Sequence, residues 1–523
     1  MKRPIIAPAD FATGTALWAA AKLRVLQWNR IAASPRRLQR VQEEMLMQHV
    51  RAGAQTEFGR QHRFDSISSY ADYAERVPLR IYGDYEPYLE RMRKGERNIL
   101  YPGFIENYGH SSGSSNTSAA HKYLPISPEQ IRWQQRAGFD IVARYLDLTG
   151  DKRLTGGYML GLLPPALIRK DGPVGITSNP GLMQLNMPAV AKTMQLPQPP
   201  VRDIEIYDQK LSAMAEAYLD YDVRGITGTT CWFSIFFDKL IATARARGRN
   251  VSTVAEIWPN LSALFGGGVH AGPYRQIINE RMGRQITLID NYNATEGGLF
   301  AATDRTDDHG MLMIPDRGVF FEFVLRADHG KADAKRVPLW KVEPGVDYSM
   351  AVTTSSGLYS YYMGDVIRFN SVFPHRMEFA GRTGGVLSVT QELTSFIELE
   401  RAVGEATRVN PCSLVDFTAS SEVGIDGTAK GRYLFFVEFD RAPADLQSFT
   451  TSVDKELCLQ NRVYREHRAK DVAILSPIVF PLPKGSTGKF MREMGMNSVQ
   501  NKFPRIIDQG RRELLQAMVL RDQ

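Results

Sequence analysis

The middle of this sequence alternates apolar runs of strand length with helical patterns. Residues 285–290 read as a strand, and residues 210–221 carry apolar side chains at helical spacing. Alternation of this kind constrains the chain to an α/β architecture. The chain has 523 residues, more than one compact core holds, so two or more domains are expected. The character changes near Gly381-Arg382-Thr383. Beyond it a short strand is expected over 385–389 and a helix after Ser395, with Glu398 completing a capping box. Apolar strands are expected over 433–439 and 472–475. Residues 382–523 therefore read as a smaller α+β domain.

Two earlier helix starts are equally local. Ser34-Pro35 sets a cap and a first-turn proline, with Leu38, Val41 and Met45 on one face. Ser127-Pro128 repeats the signal, with Gln130 placed to close a capping box.

Composition narrows the function classes. Apolar residues make up 43% and aromatic residues 10%, which calls for globular folding rather than disorder. The net charge of +7 is mild over this length; it favours anionic small ligands and falls short of a nucleic-acid surface. Cys231, Cys412 and Cys458 are scattered and form neither a zinc spacing nor a disulfide framework, which suits a reducing compartment. The apolar stretch 16–21 is bounded by Lys22 and Arg24, too short for a secretory signal, and no run of about 18 apolar residues offers a membrane span. A cytoplasmic protein is expected, and nothing in the sequence sets its oligomeric state.

Five constellations could carry chemistry. Ser111-Ser112-Gly113-Ser114-Ser115-Asn116-Thr117-Ser118, followed by Lys122, offers hydroxyls, backbone N–H groups and a point charge to phosphate oxygens. In Asn291-Tyr292-Asn293-Ala294-Thr295-Glu296-Gly297, Tyr292 suits a base, Thr295 a phosphate, and Glu296 a magnesium ion. In Tyr361-Tyr362-Met363-Gly364-Asp365-Val366, the two acceptor oxygens of Asp365 suit a pair of ribose hydroxyls. Gly266-Gly267-Gly268-Val269 lets backbone approach a flat ligand, without the dinucleotide spacing. Lys484, Lys489 and Lys502 are candidate charge neutralisers near the C-terminus. Taken singly, each also suits an ordinary turn or a solvated surface.

Their order says more. A Ser-rich loop, Tyr-x-x-Thr-Glu, Tyr-x-x-Gly-Asp, Gly-Arg at a domain junction and a C-terminal lysine together resemble the adenylate-forming superfamily of acyl-CoA synthetases, luciferase and adenylation domains. A closer resemblance is to the auxin-responsive Gretchen Hagen family of acyl acid amido synthetases. It is carried by Val77-Pro78-Leu79-Arg80-Ile81-Tyr82, Gly357-Leu358-Tyr359-Ser360-Tyr361, Val386-Leu387-Ser388, Gly431-Arg432-Tyr433 and Gln500-Asn501-Lys502-Phe503-Pro504-Arg505.

The resemblance implies a large N-terminal adenylation domain (1–381) and a mobile C-terminal domain (382–523) that supplies a lysine. It implies ATP with Mg²⁺, a carboxylic acid, and an amine co-substrate. By position it assigns Ser111, Ser112, Ser114 and Ser115 to phosphates. Gly267, Val269, Tyr292, Thr295, Asp365 and Arg382 complete the ATP site, and Glu296 serves the metal. Lys502 or Lys489 is the catalytic lysine, the surrounding pattern favouring Lys502. Trp232, Phe233, Phe236 and Met183 fall where relatives line the acyl pocket. Thioester- or ester-forming relatives, and a binding protein without turnover, are the alternative readings. Ser114 stands at the family's threonine and Thr117 at its glycine, so an altered loop is expected.

Overall fold

The computed structural model describes residues 2, 10–111, 122–268, 271–306, 309–328, 331, 334–382, 386–387, 389, 392, 394–423, 425, 430–471, 473–496 and 502–521. Its helices start where the caps predict. Ser34 accepts a hydrogen bond from the Arg37 amide and opens the helix Pro35–Gly53, which buries Leu38, Met45, Leu46 and Val50. Ser127 accepts from the Gln130 amide and opens Pro128–Thr149, which ends on Gly150 at φ 65°. Ser395 and Glu398 cap each other reciprocally ahead of Phe396–Val409. The helical pattern at 210–221 is the helix Tyr207–Tyr218, and the apolar run at 285–290 enters the strand Thr287–Ala294. No helix among the described residues is long and apolar enough to cross a membrane.

The chain divides into two compact units. The first holds Met1–Gly228, Ile257–Gly268 and Ile286–Phe379; the second holds Thr229–Glu256, Val269–Gln285 and Ala380–Gln523. The second thus contains almost the same C-terminal stretch as the sequence boundary, plus two segments from well upstream.

A twelve-stranded sheet runs through the described residues, and most of it lies in the first unit. Tyr158–Leu162, Val223–Gly228, Ala263–Gly267 and Thr287–Ala294 are parallel neighbours in that order. At Thr287–Ala294 the sheet changes sense: its other neighbour, Gly298–Ala302, is antiparallel. The antiparallel half includes Val319–Leu325, Asp347–Thr354 and Tyr361–Ser371. A second, four-stranded sheet contains the hairpin Asn107–Ser111 with Lys122–Ile126, in which Ser111 lies opposite Lys122. The rest of the hydroxyl-rich segment, residues 112–118, lies outside the described residues.

Several family-like motifs are core. Tyr359 stacks on Phe58 at 5.2 Å and meets Phe64 edge-on at 4.9 Å. Its amide donates to the Tyr85 hydroxyl at 2.9 Å, and that hydroxyl donates back to the Tyr359 carbonyl. Ser360 takes a left-handed conformation (φ 48°) and donates to the fully buried Glu322 at 2.6 Å. Arg80 bridges to Tyr361 along the strand.

The second unit is an α+β sandwich. Ser413–Val423 and Gly431–Arg441 pair antiparallel, and Ile478–Leu482 adds in parallel. Alternation sorts the central strand: Tyr433, Phe435 and Val437 pack with Leu399, Val403 and Val453, while Leu434 and Phe436 pack with Phe490, Phe503 and Leu515. One expectation is corrected here. Of the strand expected over 472–475, described residues 473–475 make a single bridge, Ile474 to Gly431, and the third strand is Ile478–Leu482. Of the strand expected over 385–389, Val386–Leu387 is a strand, and 385 and 388 lie outside the described residues.

Candidate active site

The Tyr-x-x-Thr-Glu segment lies at the C-terminal end of Thr287–Ala294, the strand where the sheet passes from parallel to antiparallel. Open α/β sheets bind ligands at such ends. Thr295, Glu296 and Gly297 form the turn into Gly298–Ala302. Gly298 sits at φ 94°, and a Cβ there would lie 2.4 Å from Cγ of Gln134, so only glycine suits the turn. A Cβ on Gly109 would lie 2.6 Å from Cγ2 of Thr295, so the strand Asn107–Ser111 passes directly beside this turn.

Asp365 is 2% exposed. It is placed by a bulge: between the pairs Ser349–Val366 and Ala351–Tyr362, one residue faces three, and Gly364 takes φ 78° there. The Tyr292 hydroxyl donates to Oδ2 of Asp365. The Tyr292 ring packs on Phe300 at 5.3 Å and Phe379 at 5.6 Å, so the ring, its hydroxyl and the carboxylate form one unit.

The helix Pro128–Thr149 supports the turn from behind. Gln130 is 1% exposed. Its amide donates to the Thr295 carbonyl at 2.9 Å and accepts from the Ser356 hydroxyl. Ser356 in turn accepts from the Ser127 amide at 2.9 Å. The expected capping-box role of the Gln130 side chain is thereby corrected: its backbone meets the cap, and its side chain is drawn to the turn. One helical turn on, Gln134 exchanges paired hydrogen bonds with Asn179, at 3.1 and 3.0 Å.

The sequence-predicted residues sort as follows. Tyr292, Thr295, Glu296 and Asp365 come together in the first unit. Gly267 lies on the neighbouring strand, where a Cβ would sit 2.8 Å from the Asn291 carbonyl oxygen; close strand approach explains that glycine. Ser111 ends its strand, with its side chain outside the described residues, as is that of Arg382 at the end of Arg376–Arg382. Ser112, Ser114, Ser115 and Val269 lie outside the described residues. Met183 is half-buried in Asn179–Leu185 of the first unit. Phe233 and Phe236 are fully buried and Trp232 half-buried in Cys231–Ala246 of the second.

Lys489 and Lys502 are both exposed, in the second unit. The Ser-Thr-Gly-Lys segment around Lys489 starts a helix whose end is held by Glu438, which accepts from the Gly485 and Thr487 amides at 2.7 and 2.8 Å. Lys502 precedes Arg505, a 9%-exposed guanidinium that donates to Glu400 at 2.7 Å, to the Phe417 carbonyl at 3.0 Å, and to Asp416 and the Tyr274 hydroxyl. The Ala419 amide donates to the Arg505 carbonyl and the Ile507 amide donates to the Ala419 carbonyl, both at 2.9 Å.

The sequence reading takes Gln130 only as a cap residue and does not single out Ser356 or Phe379. Gln130 and Gln134, four apart, lie on the buried face with Ala137, and two amides one helical turn apart on that face are the signal that points to them.

Three family models match in order: the GH3 family N-terminal domain over residues 27–177, the central domain over 312–382 and the C-terminal domain over 397–511. Together they take in well over half of the chain. The chain belongs to the GH3 family. Its N-terminal model contains Gly109 and Gln130, its central model Ser356 and Asp365, and its C-terminal model Lys489, Lys502 and Arg505.

Among curated relatives, a probable indole-3-acetic acid-amido synthetase GH3.4 of Oryza sativa subsp. japonica is 34% identical over 188 residues. That match spans 33% of this chain and 29% of the rice protein. Indole-3-acetic acid-amido synthetase GH3.8 of Oryza sativa subsp. indica is 23% identical over 89% of this chain and 88% of its own. A solved GH3.15 acyl acid amido synthetase in complex with 2,4-DB shares the fold, with TM-score 0.74, 18% identity and 96% of each chain covered. A 2-hydroxyisobutyryl-CoA ligase shares it more loosely, at TM-score 0.57 and 14% identity over 92% of this chain and 90% of its own.

Proposed function

We propose that this GH3-family chain is an ATP-dependent acid–amine ligase. A carboxylate oxygen of the acid attacks the α-phosphorus of ATP, the bond to the β-phosphate breaks, and pyrophosphate leaves. The nitrogen of an amine, an amino acid or a related amine, then attacks the acyl carbon; the bond to AMP breaks and the amine gives up a proton. The observation that carries this reading is the seating of Thr295 beside Gly109, in the strand that ends at Ser111, with Tyr292 of the same strand end donating to Asp365.

Each group has a role in that chemistry. Asp365, whose buried carboxylate accepts from Tyr292, holds the ribose through its acceptor oxygens; Tyr292 lies against adenine. Thr295, Ser111, Ser112, Ser114 and Ser115 take the phosphates. Glu296 would hold a magnesium ion together with the nucleotide phosphates, and the ion would supply positive charge to offset that of the phosphates. Residues 382–523 supply the lysine, and Lys502 is preferred because the buried Arg505 fixes its segment. Trp232, Phe233, Phe236 and Met183 are the proposed acyl-side residues, which favours an aromatic or medium-sized apolar acid.

Pyrophosphate exchange across a panel of acids, followed by product mass with candidate amines, tests the reading. Exchange with at least one acid and an amide product are expected. AMP release accelerated only by CoA, a carrier protein or an alcohol would replace the amide step. ATP binding without exchange for any acid would leave a binding protein.

A further inference from the structure

We infer that Gln130 is a positioning residue for the adenylation half-reaction, holding the Thr295-Glu296 peptide in the orientation that the nucleotide phosphates and metal require. The inference rests on the proposed reading of that turn. It starts from a directional chain of hydrogen bonds: the Ser127 amide donates to the Ser356 hydroxyl, that hydroxyl donates to the Gln130 carbonyl oxygen, and the Gln130 amide nitrogen donates to the Thr295 carbonyl. Every member but Thr295 is buried: Ser127 and Ser356 are 0% exposed and Gln130 1%.

This chain joins three separate pieces of the fold: the start of the helix Pro128–Thr149, the turn after Asp347–Thr354, and the turn after Thr287–Ala294. The Thr295 carbonyl belongs to the peptide linking Thr295 to Glu296. Fixing its direction fixes the plane from which both side chains leave. An amide suits the task because it donates at one end and accepts at the other. Gly298 pressed on Gln134 fixes the far end of the same turn, so one helix face sets both ends.

A carboxyl group separates this role from simple packing. Gln130→Glu keeps the shape. Ionised, it offers no proton to the Thr295 carbonyl and sets charge against it. Protonated, it donates to Thr295 and still accepts from Ser356. Burial favours the protonated form, so the defect should reverse as pH falls.

The test is pyrophosphate exchange by the full chain with its best acid, between pH 6 and pH 8, for wild type, Gln130→Glu and Gln130→Ala. Loss of a preorganised contact predicts turnover down by about 30-fold in Gln130→Ala and in Gln130→Glu at pH 8, with KM for the acid within about twofold. The Gln130→Glu rate relative to wild type should rise at least about fivefold from pH 8 to pH 6. Equal rates in wild type and Gln130→Glu at pH 8, or a flat ratio across the range, overturns the assignment.

Calorimetry keeps the two readings separate. Mg²⁺ should tighten ATP binding to wild type and do so less for Gln130→Glu at pH 8; equal tightening overturns the assignment even where exchange is absent. A wild type without exchange for any acid defeats the adenylation reading alone. Should Gln130→Ala fail to fold, the isosteric Gln130→Glu carries the whole comparison.

Discussion

Two regions of this GH3-family chain treat charge in opposite ways. In the first unit, the carboxylate expected to hold the ribose, Asp365, is 2% exposed and already engaged by Tyr292. In the second, the lysines expected to act are both exposed, and the buried charge is a neighbour, Arg505. The difference matches what each must do. A nucleotide site gains by being set before the ligand arrives, because no reorganisation is then needed during reaction. A lysine that neutralises charge can stay hydrated, provided its segment is anchored. Arg505 is that anchor: two carboxylates, a carbonyl and a hydroxyl converge on one guanidinium.

The largest expected effect breaks the anchor. Arg505→Met leaves Glu400 and Asp416 buried without their cation, and losing one partner of such a pair costs about 3–5 kcal/mol. Urea unfolding should show that loss, and an unchanged midpoint would remove the anchoring role. On the other side, Asp365→Ala and Glu296→Ala should each lower pyrophosphate exchange by about 10²- to 10³-fold while thermal unfolding moves by only a few degrees. Near-normal exchange in either breaks that residue's assignment.

A smaller effect sharpens the choice of lysine. Lys502→Ala should reduce adenylate formation by about 10- to 100-fold, and Lys489→Ala by no more than about threefold, since only one can sit over developing charge. The reverse order would move the role to the helix capped by Glu438. The smallest effect concerns histidine. Burial pushes His49 down to about 4, against a lesser opposing pull from the Gly318 carbonyl it meets at 3.0 Å. The unfolded chain then binds a proton that the folded one refuses between about pH 6.5 and 4, so stability present above that window is lost as pH falls through it. His49→Gln should flatten the pH dependence of unfolding there by up to about 1.4 kcal/mol per pH unit. An identical slope would show that His49 titrates alike in both states. His375, also pushed down to about 4 by burial, should keep part of the slope in that variant.

Short-range signals carried well from sequence to structure. The Ser34, Ser127 and Ser395 caps depend on atoms three residues apart, and all three formed. The family-like motifs marked Tyr292, Thr295, Glu296 and Asp365 in advance, yet part of what looked like signature, around Tyr359 and Arg80, is packing. The apolar run expected as a strand over 472–475 meets Gly431 through Ile474, and regular pairing with the same strand begins at Ile478. Composition alone does not say where along an edge regular pairing begins.

By itself the sequence determined the α/β class, the helix starts, the family and the order of the reactive motifs, because propensity, capping and motif spacing are written in neighbouring residues. Only the tertiary structure decided that segments from 229–256 and 269–285 join the C-terminal unit, that Tyr292 engages Asp365, and that Gln130 leaves its cap for Thr295. Those outcomes depend on contacts 73 and 165 residues apart in the last two cases, and such distances are closed by strand order and core packing rather than by any local preference.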